Sequence, residues 1–236
     1  ANRNINKIII GNAPLQGADI KKIHNDLNIS GLRKHYINVL GHSPKFVDLR
    51  TKALSNTGIK FLRNIEFLKK VPYKSIDLKN HSKLEDLYQI SDNICFGVGD
   101  YDVRNTKLNH TKGKHNYKIA ADILDSNVIF SIPKLKTHQK VGVTCVLKGF
   151  VGTVVDKSCL AHHTIRSKNY IGDEFNINNK LAYVSTKINY YFEREIYNFI
   201  GKALRVVNRV IQKLANLGNN NFCNGASPTN DTAWRM

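Results

Sequence analysis

Acidic residues are scarce in this sequence. Asp and Glu together number 18 against 36 Lys and Arg, which gives a formal net charge of +18 over 236 residues. Such an excess makes anionic partners the first expectation, among them phosphates, carboxylates, nucleic acids and lipid headgroups. An AT-rich genome, which favours Lys, Asn and Ile, produces the same bias, so the charge alone does not choose among these partners.

Cysteines are also few and are not spaced for a cluster. Cys95, Cys145, Cys159 and Cys223 include no C-x-x-C pair, which argues against a zinc knuckle, a ferredoxin-type cluster and a disulfide scaffold. We therefore expect reduced cysteines, no iron–sulfur cofactor and a cytoplasmic protein.

Long apolar runs and a signal-peptide pattern are missing. No stretch approaches the ~20 apolar residues of a transmembrane helix, and the first residues, ANRNINKIIIGNAP, contain neither an initiator Met nor a signal-peptide architecture. The chain stops at NDTAWRM without a helix cap or a polar tail, so we interpret it as a candidate fragment of a longer protein. With 42% hydrophobic residues, it can bury a core.

The apolar pattern predicts an α/β domain. Residues 7–10 form a β-branched run that ends in Gly-Asn-Ala-Pro, typical of a buried strand that delivers a loop at its carboxyl end. Ligands commonly bind at that end of strands in α/β proteins. Residues 18–40 have helical spacing with a break at 28–31, and residues 46–49 predict a second strand.

Further along, the pattern favours parallel winding. Residues 118–124 predict a helix that runs into a strongly apolar strand at 127–132, and a helix followed by a buried strand is typical of a mostly parallel sheet flanked by helices. Residues 54–72 fit either a hairpin or a helix, and residues 75–78 predict another strand.

The C-terminal part has a different pattern. Residues 180–217 predict a long amphipathic helix or a helix pair, with a bend at Gly201 and a basic opposite face. The face is interpreted either as a solvated surface of a core-packed helix or as an interfacial membrane helix. We divide the chain into an α/β domain, residues 1–175, and a helical extension with a C-terminal loop of the same domain, residues 176–236.

Titratable residues concentrate in residues 131–163. Pro133 ends the predicted strand, and alternation in an extended chain then places Lys134, Lys136 and His138 on a common side, with Lys140 following. Two ammonium groups beside an imidazole form a cradle for an anion with one group that titrates near neutral pH. The alternative interpretation is a solvated lysine-rich loop.

Lys148 weakens that alternative because it interrupts an apolar run. Such a lysine must snorkel, form a pair, or lie buried with a lowered pKa. Gly149 and Gly152 beside it would let backbone amides approach a ligand. His162 and His163 follow, and since adjacent residues of a strand point to opposite faces, we expect at most one of them to point inward.

Other candidates lie outside this segment. The basic stretch HTKGKH, which includes His115, could form a second wall for an anion, although a turn of this kind is commonly solvated. Asp173 and Glu174 are candidate metal ligands together with His163, and Asp231 and Arg235 are candidate substrate-binding residues.

The string IPKLKTHQKVGVTCVLKGFVGTV, with the histidine pair that follows, resembles the domain-of-unknown-function family 362. In that family a strand ends in Pro-Lys-x-Lys-x-His and continues to a Lys-Asn-x-x-Gly element; Gly149 replaces the family's Asn here. GNAPLQGAD, HTKGKHNYKIAADIL, GDEF and NDTAWRM resemble a subtype found near polysaccharide-biosynthesis genes, without the appended ferredoxin segment.

A more distant likeness is to the nickel-pincer lactate racemases. It implies that Lys148 matches the lysine that anchors the cofactor and that His138 and His162 match the functional histidines, so a metal or pincer-type cofactor is an expectation of this resemblance.

Three functions are therefore open. The first is a proton-transfer enzyme, such as an isomerase or racemase, with His138, Lys148 and His162 as catalytic residues and an anionic sugar- or hydroxyacid-related substrate or glycan precursor. The second is a module that binds nucleic acid or another acidic polymer, which the charge favours although no reader motif is present. The third is peripheral membrane attachment through residues 180–217.

Overall fold

The protein is represented by a computed structural model that describes residues 7–54, 65–68, 71–98, 101, 103–133, 135–138, 142–165, 172–173, 180–192, 199–217 and 232–236. The strands are β1 (Ile9–Asn12), β2 (Lys45–Asp48), β3 (Lys52–Leu54), β4 (Ile65–Phe67), β5 (Tyr73–Asp77), β6 (Phe96–Gly97), β7 (His110–Thr111), β8 (Lys114–Ala120), β9 (Lys136–His138), β10 (Gly142–Thr144) and β11 (His163–Thr164). The α-helices are α1 (Ile20–Asp26), α2 (Ile29–Leu40), α3 (Val103–Asn109), α4 (Ala121–Leu124), α5 (Val146–Gly149), α6 (Lys180–Phe192), α7 (Phe199–Leu217) and α8 (Thr232–Arg235).

The N-terminal part is a βαβ unit. Strands β1 and β2 pair in parallel, from Ile9 opposite Lys45 to Asn12 opposite Asp48, and α1 and α2 form the crossover between them. Asn28 separates the two helices because its backbone is left-handed, with φ at 47°, while its side chain caps the Gly31 amide. Both predicted strands and the predicted break in the helix are confirmed.

The prediction of a mostly parallel sheet is wrong. Every other strand pair among the described residues is antiparallel: β3 with β4, β5 with β8, β7 with β8, β6 with β11 and β9 with β10. The architecture is a mixed α/β one built from small sheets. Of the predicted helix at 118–124, residues 121–124 are helical and form α4, whereas residues 118–120 are the end of β8, because alternation of buried His115 and Tyr117 already defines a strand.

The predicted strand at 127–132 is also wrong. These residues form no strand, and Phe130 and Ile132 are 84% and 92% exposed. The apolar composition of these residues predicts a buried strand. A strand becomes buried only when another segment pairs with it or covers it, and no described strand pairs with residues 127–132.

Residues 154–161 hold the core together. Three clusters of buried apolar residues share this segment, with Val155 in one, Val154, Cys159 and Leu160 in the second, and Ala161 in the third. All eight residues of the segment are buried. Its polar members, Asp156, Lys157 and Ser158, are therefore enclosed because their apolar neighbours anchor the chain on both sides.

Helices α6 and α7 confirm the predicted helix pair. They pack through small and polar buried residues, namely Ala182, Ser185, Asn208 and Ala215. Gly201 lies within α7 rather than between the two helices. Within the described ranges, no helix has both the length and the apolarity needed to cross a membrane.

Candidate functional site

The carboxyl ends of β1 and β2 meet a glycine-containing 3-10 helix, Phe150–Thr153. The Ala13 amide, just after β1, donates a hydrogen bond of 2.7 Å to the Gly152 carbonyl. The Thr51 amide, just after β2, donates one of 3.1 Å to the Val155 carbonyl. The end of the parallel pair, where the sequence predicts a ligand, is thus joined to the segment that carries Lys148.

A cavity of about 700 Å³ lies against this helix. Its wall is almost entirely aliphatic and aromatic, and it is lined by Ile76, Leu78, Tyr117, Ile119, Ile123, Leu124, Ile129, Val143, Cys145, Val146, Lys148, Phe150, Val151, Thr153, Val154, Leu160, Ala233 and Met236. Lys148, at the end of α5, is the one Lys, Arg, Asp, Glu or His residue among these lining residues. The volume suits a small organic molecule.

Lys157 is the buried lysine of this region. Its side chain is 4% exposed, and its ammonium Nζ donates to the carbonyls of Val151 and Val154, the latter at 3.1 Å. Burial lowers the pKa of Lys157 to about 7, and the positive charges of Lys148 and Arg50 add to this effect while Asp156 opposes it. Lys157 can therefore exchange a proton near neutral pH.

Two carboxylates, Asp156 and Asp48, form ion pairs with the basic residues near Lys157. Asp156 lies 3.6 Å from the Lys52 ammonium and 3.5 Å from that of Lys118. Burial by itself would raise the pKa of Asp156, but the Ser158 hydrogen bonds and the two lysines hold it below its usual value. Asp48 pairs with buried Arg50 at 2.7 Å.

Arg50 also fixes the loop that follows β1. Its guanidinium Nη1 donates to the carbonyls of Leu15, Gln16 and Ala18 at 3.0 to 3.3 Å. The loop that begins at the carboxyl end of β1 is therefore hydrogen-bonded to a residue that follows the carboxyl end of β2.

Gly149 and Gly152, which the sequence predicts to contact a ligand, lie close to side chains of other segments of the protein. A Cβ at Gly152 would lie 2.3 Å from Asn12 Oδ1, and a Cβ at Gly149 would lie 2.5 Å from Ser131 Oγ. Their contact with a ligand stays a prediction. In the described part of the lysine–histidine run, Lys136 and His138 lie two residues apart on β9, which pairs antiparallel with β10. Lys134, Lys140, Glu174 and Asp231 lie outside the described residues.

The adjacent histidines differ in burial. His163 is buried in β11, where its Nε2 would lie 2.6 Å from a Cβ built at Gly97, whereas His162 is half-buried. Their rings are nearly perpendicular, at 89°. The catalytic role of His162 and the metal-binding role of His163 stay predictions.

Asp173 and Arg235 hold the C-terminal helix α8 in place. Fully buried Asp173 accepts hydrogen bonds from the amide and hydroxyl of Thr164 and, at 3.0 Å, from the Thr232 amide. Arg235 donates to Asp86 at 2.7 Å. Across the described part of the chain, no group of three or more His, Cys, Asp or Glu residues is arranged to hold a metal ion.

His115 is fully buried and belongs to a chain of hydrogen bonds. In the neutral ring of His110, Nε2–H donates to the Cys159 carbonyl at 2.7 Å and Nδ1 accepts from His115 Nδ1–H at 3.2 Å. His115 Nε2 lies 2.8 Å from Glu85 Oε1.

His110 makes the stability of the fold dependent on pH. Burial lowers the pKa of His110 to about 4 and the His115 charge adds to this, although the Cys159 carbonyl opposes it. Between about pH 6.5 and pH 4, His110 is protonated in the unfolded chain but neutral in the folded chain. The free energy of unfolding should therefore fall by about 3 kcal/mol over this range. Urea denaturation across this range measures the loss.

The matched variants are His110→Phe and His81→Phe, the latter at an exposed histidine. The first should flatten the pH dependence in this window and the second should leave it unchanged. An equally steep decline in the His110→Phe variant would contradict the assignment.

Residues 83–217 match the family described as Domain of unknown function (DUF362). This match covers more than half of the 236 residues. The chain belongs to the DUF362 family. No curated protein and no solved structure shows a significant match to it.

The DUF362 match includes α5, the 3-10 helix and the buried segment 154–161, but sequence reasoning in that region singled out Lys148 and not Lys157. The signal for Lys157 was present. Val154 and Val155 precede it and Cys159, Leu160 and Ala161 follow it, so a lysine there has apolar neighbours on both sides, as Lys148 does.

Proposed function

We propose that this DUF362 protein is a proton-transfer enzyme that binds a small organic acid in the apolar cavity. Lys148 carries the proposal, because it is the one Lys, Arg, Asp, Glu or His residue among the described residues that line a mostly apolar cavity. A carboxylate that contacts Lys148 can place its hydrocarbon part against the aliphatic lining, so both parts of an amphipathic anion are accommodated.

The lining favours a hydroxyacid-related substrate over a sugar. Sugar hydroxyls need several hydrogen-bond partners, and the hydroxyls that line the cavity already have partners: Thr153 donates to the Phe150 carbonyl at 2.7 Å and Tyr117 to the Met236 carbonyl at 3.4 Å. A hydrocarbon chain needs none. Burial of its surface stabilises the complex by about 25 cal/mol per Å².

Lys157 supplies the proton exchange in this proposal. Its ammonium group contacts the carbonyls of Val151 and Val154, whose residues line the cavity, and its charge is repelled by that of Lys148. An anion bound at Lys148 weakens this repulsion and raises the pKa of Lys157, so binding near neutral pH draws a proton onto Lys157. During an isomerisation the Lys157 ammonium gives this proton to one atom of the substrate, and the amine that remains removes a proton from the carbon next to the carboxylate, so no net proton is transferred.

The test is calorimetric titration with 2-hydroxyoctanoate. The Lys148→Met variant should bind it about tenfold or more weakly, since a charge-assisted contact is lost in an apolar setting. Lys114→Met, at an exposed lysine of β8 outside the cavity lining, should bind like the unmodified protein. Lactate, which lacks the hydrocarbon chain, should bind more weakly than 2-hydroxyoctanoate.

Repeating the titration in buffers of different ionisation enthalpy measures proton uptake. The unmodified protein should take up a proton on binding near pH 7.5, whereas Lys157→Met should bind without uptake. Equal affinities for the Lys148→Met and Lys114→Met variants would refute the anion site. Uptake that persists in Lys157→Met would refute the role of Lys157.

A further inference from the structure

Helix α7 has two neighbouring stripes of residues, of which one packs within the protein and the other is aliphatic and exposed. Residues at three- and four-residue spacing, Leu204, Asn208, Ile211 and Ala215, are buried or half-buried. This stripe includes the two residues, Asn208 and Ala215, that are buried where α7 meets α6. It accounts for the contact between the two helices.

The second stripe is exposed. It consists of Ile200, Ala203, Val207, Val210 and Leu214, again at three- and four-residue spacing and therefore along one face of the helix. Leu181 and Val184 of α6 are exposed as well. An aliphatic stripe that runs along most of a 19-residue helix and stays in water marks an interaction surface.

The charges identify the partner. Helices α6 and α7 carry six basic residues and no acidic residue: Lys180, Lys187, Lys202, Arg205, Arg209 and Lys213. Arg209 and Lys213 are exposed on α7. An aliphatic stripe on a basic helix matches an anionic lipid surface, whose acyl region accepts the aliphatic side chains and whose headgroups attract the lysines and arginines.

A second copy of the chain fits this face less well. Pairing two α7 helices along the stripe would join molecules that each carry a formal charge of +18, and neither α6 nor α7 has an acidic residue to offset it. Like charges brought together in this way oppose association. A polyanionic surface has the opposite effect, since it neutralises the same residues.

We infer that the exposed stripe of α7, residues 200, 203, 207, 210 and 214, docks the protein on anionic membranes. The helix lies in the interface without crossing it, with its aliphatic stripe toward the acyl chains. This attachment is independent of the cavity and would hold even if the cavity bound no acid.

Flotation with vesicles of phosphatidylcholine, with and without phosphatidylserine, tests the inference on the full chain. The protein should float with the vesicles that contain phosphatidylserine and remain behind with phosphatidylcholine alone. The double variant Val207→Asn/Leu214→Asn should bind at least about tenfold more weakly. Both residues are about half exposed, at 51% and 49%, so their replacement opens no core cavity.

Matched variants separate the two contributions. Leu108→Asn, at a 67% exposed leucine of α3, should bind like the unmodified protein. Arg209→Gln/Lys213→Gln should weaken binding to phosphatidylserine about tenfold or more, whereas Lys107→Gln should change it little. Circular dichroism confirms that each variant retains its helices.

Three results would overturn the inference. One is equal flotation of the Val207→Asn/Leu214→Asn variant and the unmodified protein. Another is equal binding to vesicles with and without phosphatidylserine. The third is absence of flotation combined with a dimer that the double variant converts to a monomer, which would show that the stripe joins two copies.

Discussion

Replacing Lys157 with Met is expected to raise the free energy of unfolding by about 2 kcal/mol at about pH 6.5. Burial lowers the pKa of Lys157 from 10.5 to about 7, so below pH 7 the fold encloses a charge that the unfolded chain exposes to water. Methionine removes that charge and fills the same space. The loss of the hydrogen bonds to the Val151 and Val154 carbonyls offsets part of the gain.

The sign of the pH dependence follows from the same shift. Between the folded and unfolded pKa values only the unfolded chain keeps the proton, so the unmodified protein should gain about 3 kcal/mol in unfolding free energy between about pH 7 and pH 9. The Lys157→Met variant should lack this rise. Urea denaturation at both pH values measures the effect.

Lys107→Met, at an exposed lysine of α3, is the control and should retain the rise seen in the unmodified protein. A Lys157→Met variant that is less stable than the unmodified protein at every pH would mean that Lys157 acts as a structural hydrogen-bond donor. A variant that is more stable but no longer exchanges a proton on ligand binding would indicate a lysine kept for function at the expense of stability.

The second large effect is expected at Asp173. Its carboxylate accepts hydrogen bonds from the Thr164 amide and hydroxyl and from the Thr232 amide, all of them buried. Asp173→Ala leaves these donors without their acceptor, so the free energy of unfolding should fall by about 3 kcal/mol or more. Hydrogen exchange of the Thr232 amide should accelerate as α8 detaches.

Asp26→Ala removes an exposed carboxylate that pairs with Lys22 and should cost less than about 0.5 kcal/mol. If Asp173 served as a metal ligand, chelation of the unmodified protein would reproduce the loss of stability, and Asp173→Ala would be insensitive to chelator. Comparing the two proteins with and without a chelator therefore separates a structural carboxylate from a metal-binding one.

Local sequence patterns predicted the helices and strands that depend on residues close to one another in the sequence. The βαβ unit of β1, α1, α2 and β2 follows from apolar spacing and from Asn28 between the helices, and the α6–α7 pair follows from helical periodicity. Lys148 could be singled out because a lysine in an apolar run has few acceptable environments. In each of these cases the residues that decide the structure lie within a few positions of each other.

Strand pairing and the charged surroundings of Lys157 could not be predicted from local sequence patterns. β5 and β8 pair across about forty residues, and the apolar run at 127–132 would have needed a distant strand to become buried. Similarly, the environment of Lys157 depends on Arg50, Lys148 and three core clusters drawn from separate segments.

By itself, the sequence determined the family, the net positive charge and the elements of the βαβ unit, and it predicted a site around Lys148. Only the tertiary structure decided that the remaining described sheets are antiparallel, that His115 is enclosed with His110 and Glu85, and that Lys157 is a buried lysine with a lowered pKa. The reason is physical, since propensity and periodicity act between neighbours in the chain, whereas burial and charge interactions depend on which distant segments pack together.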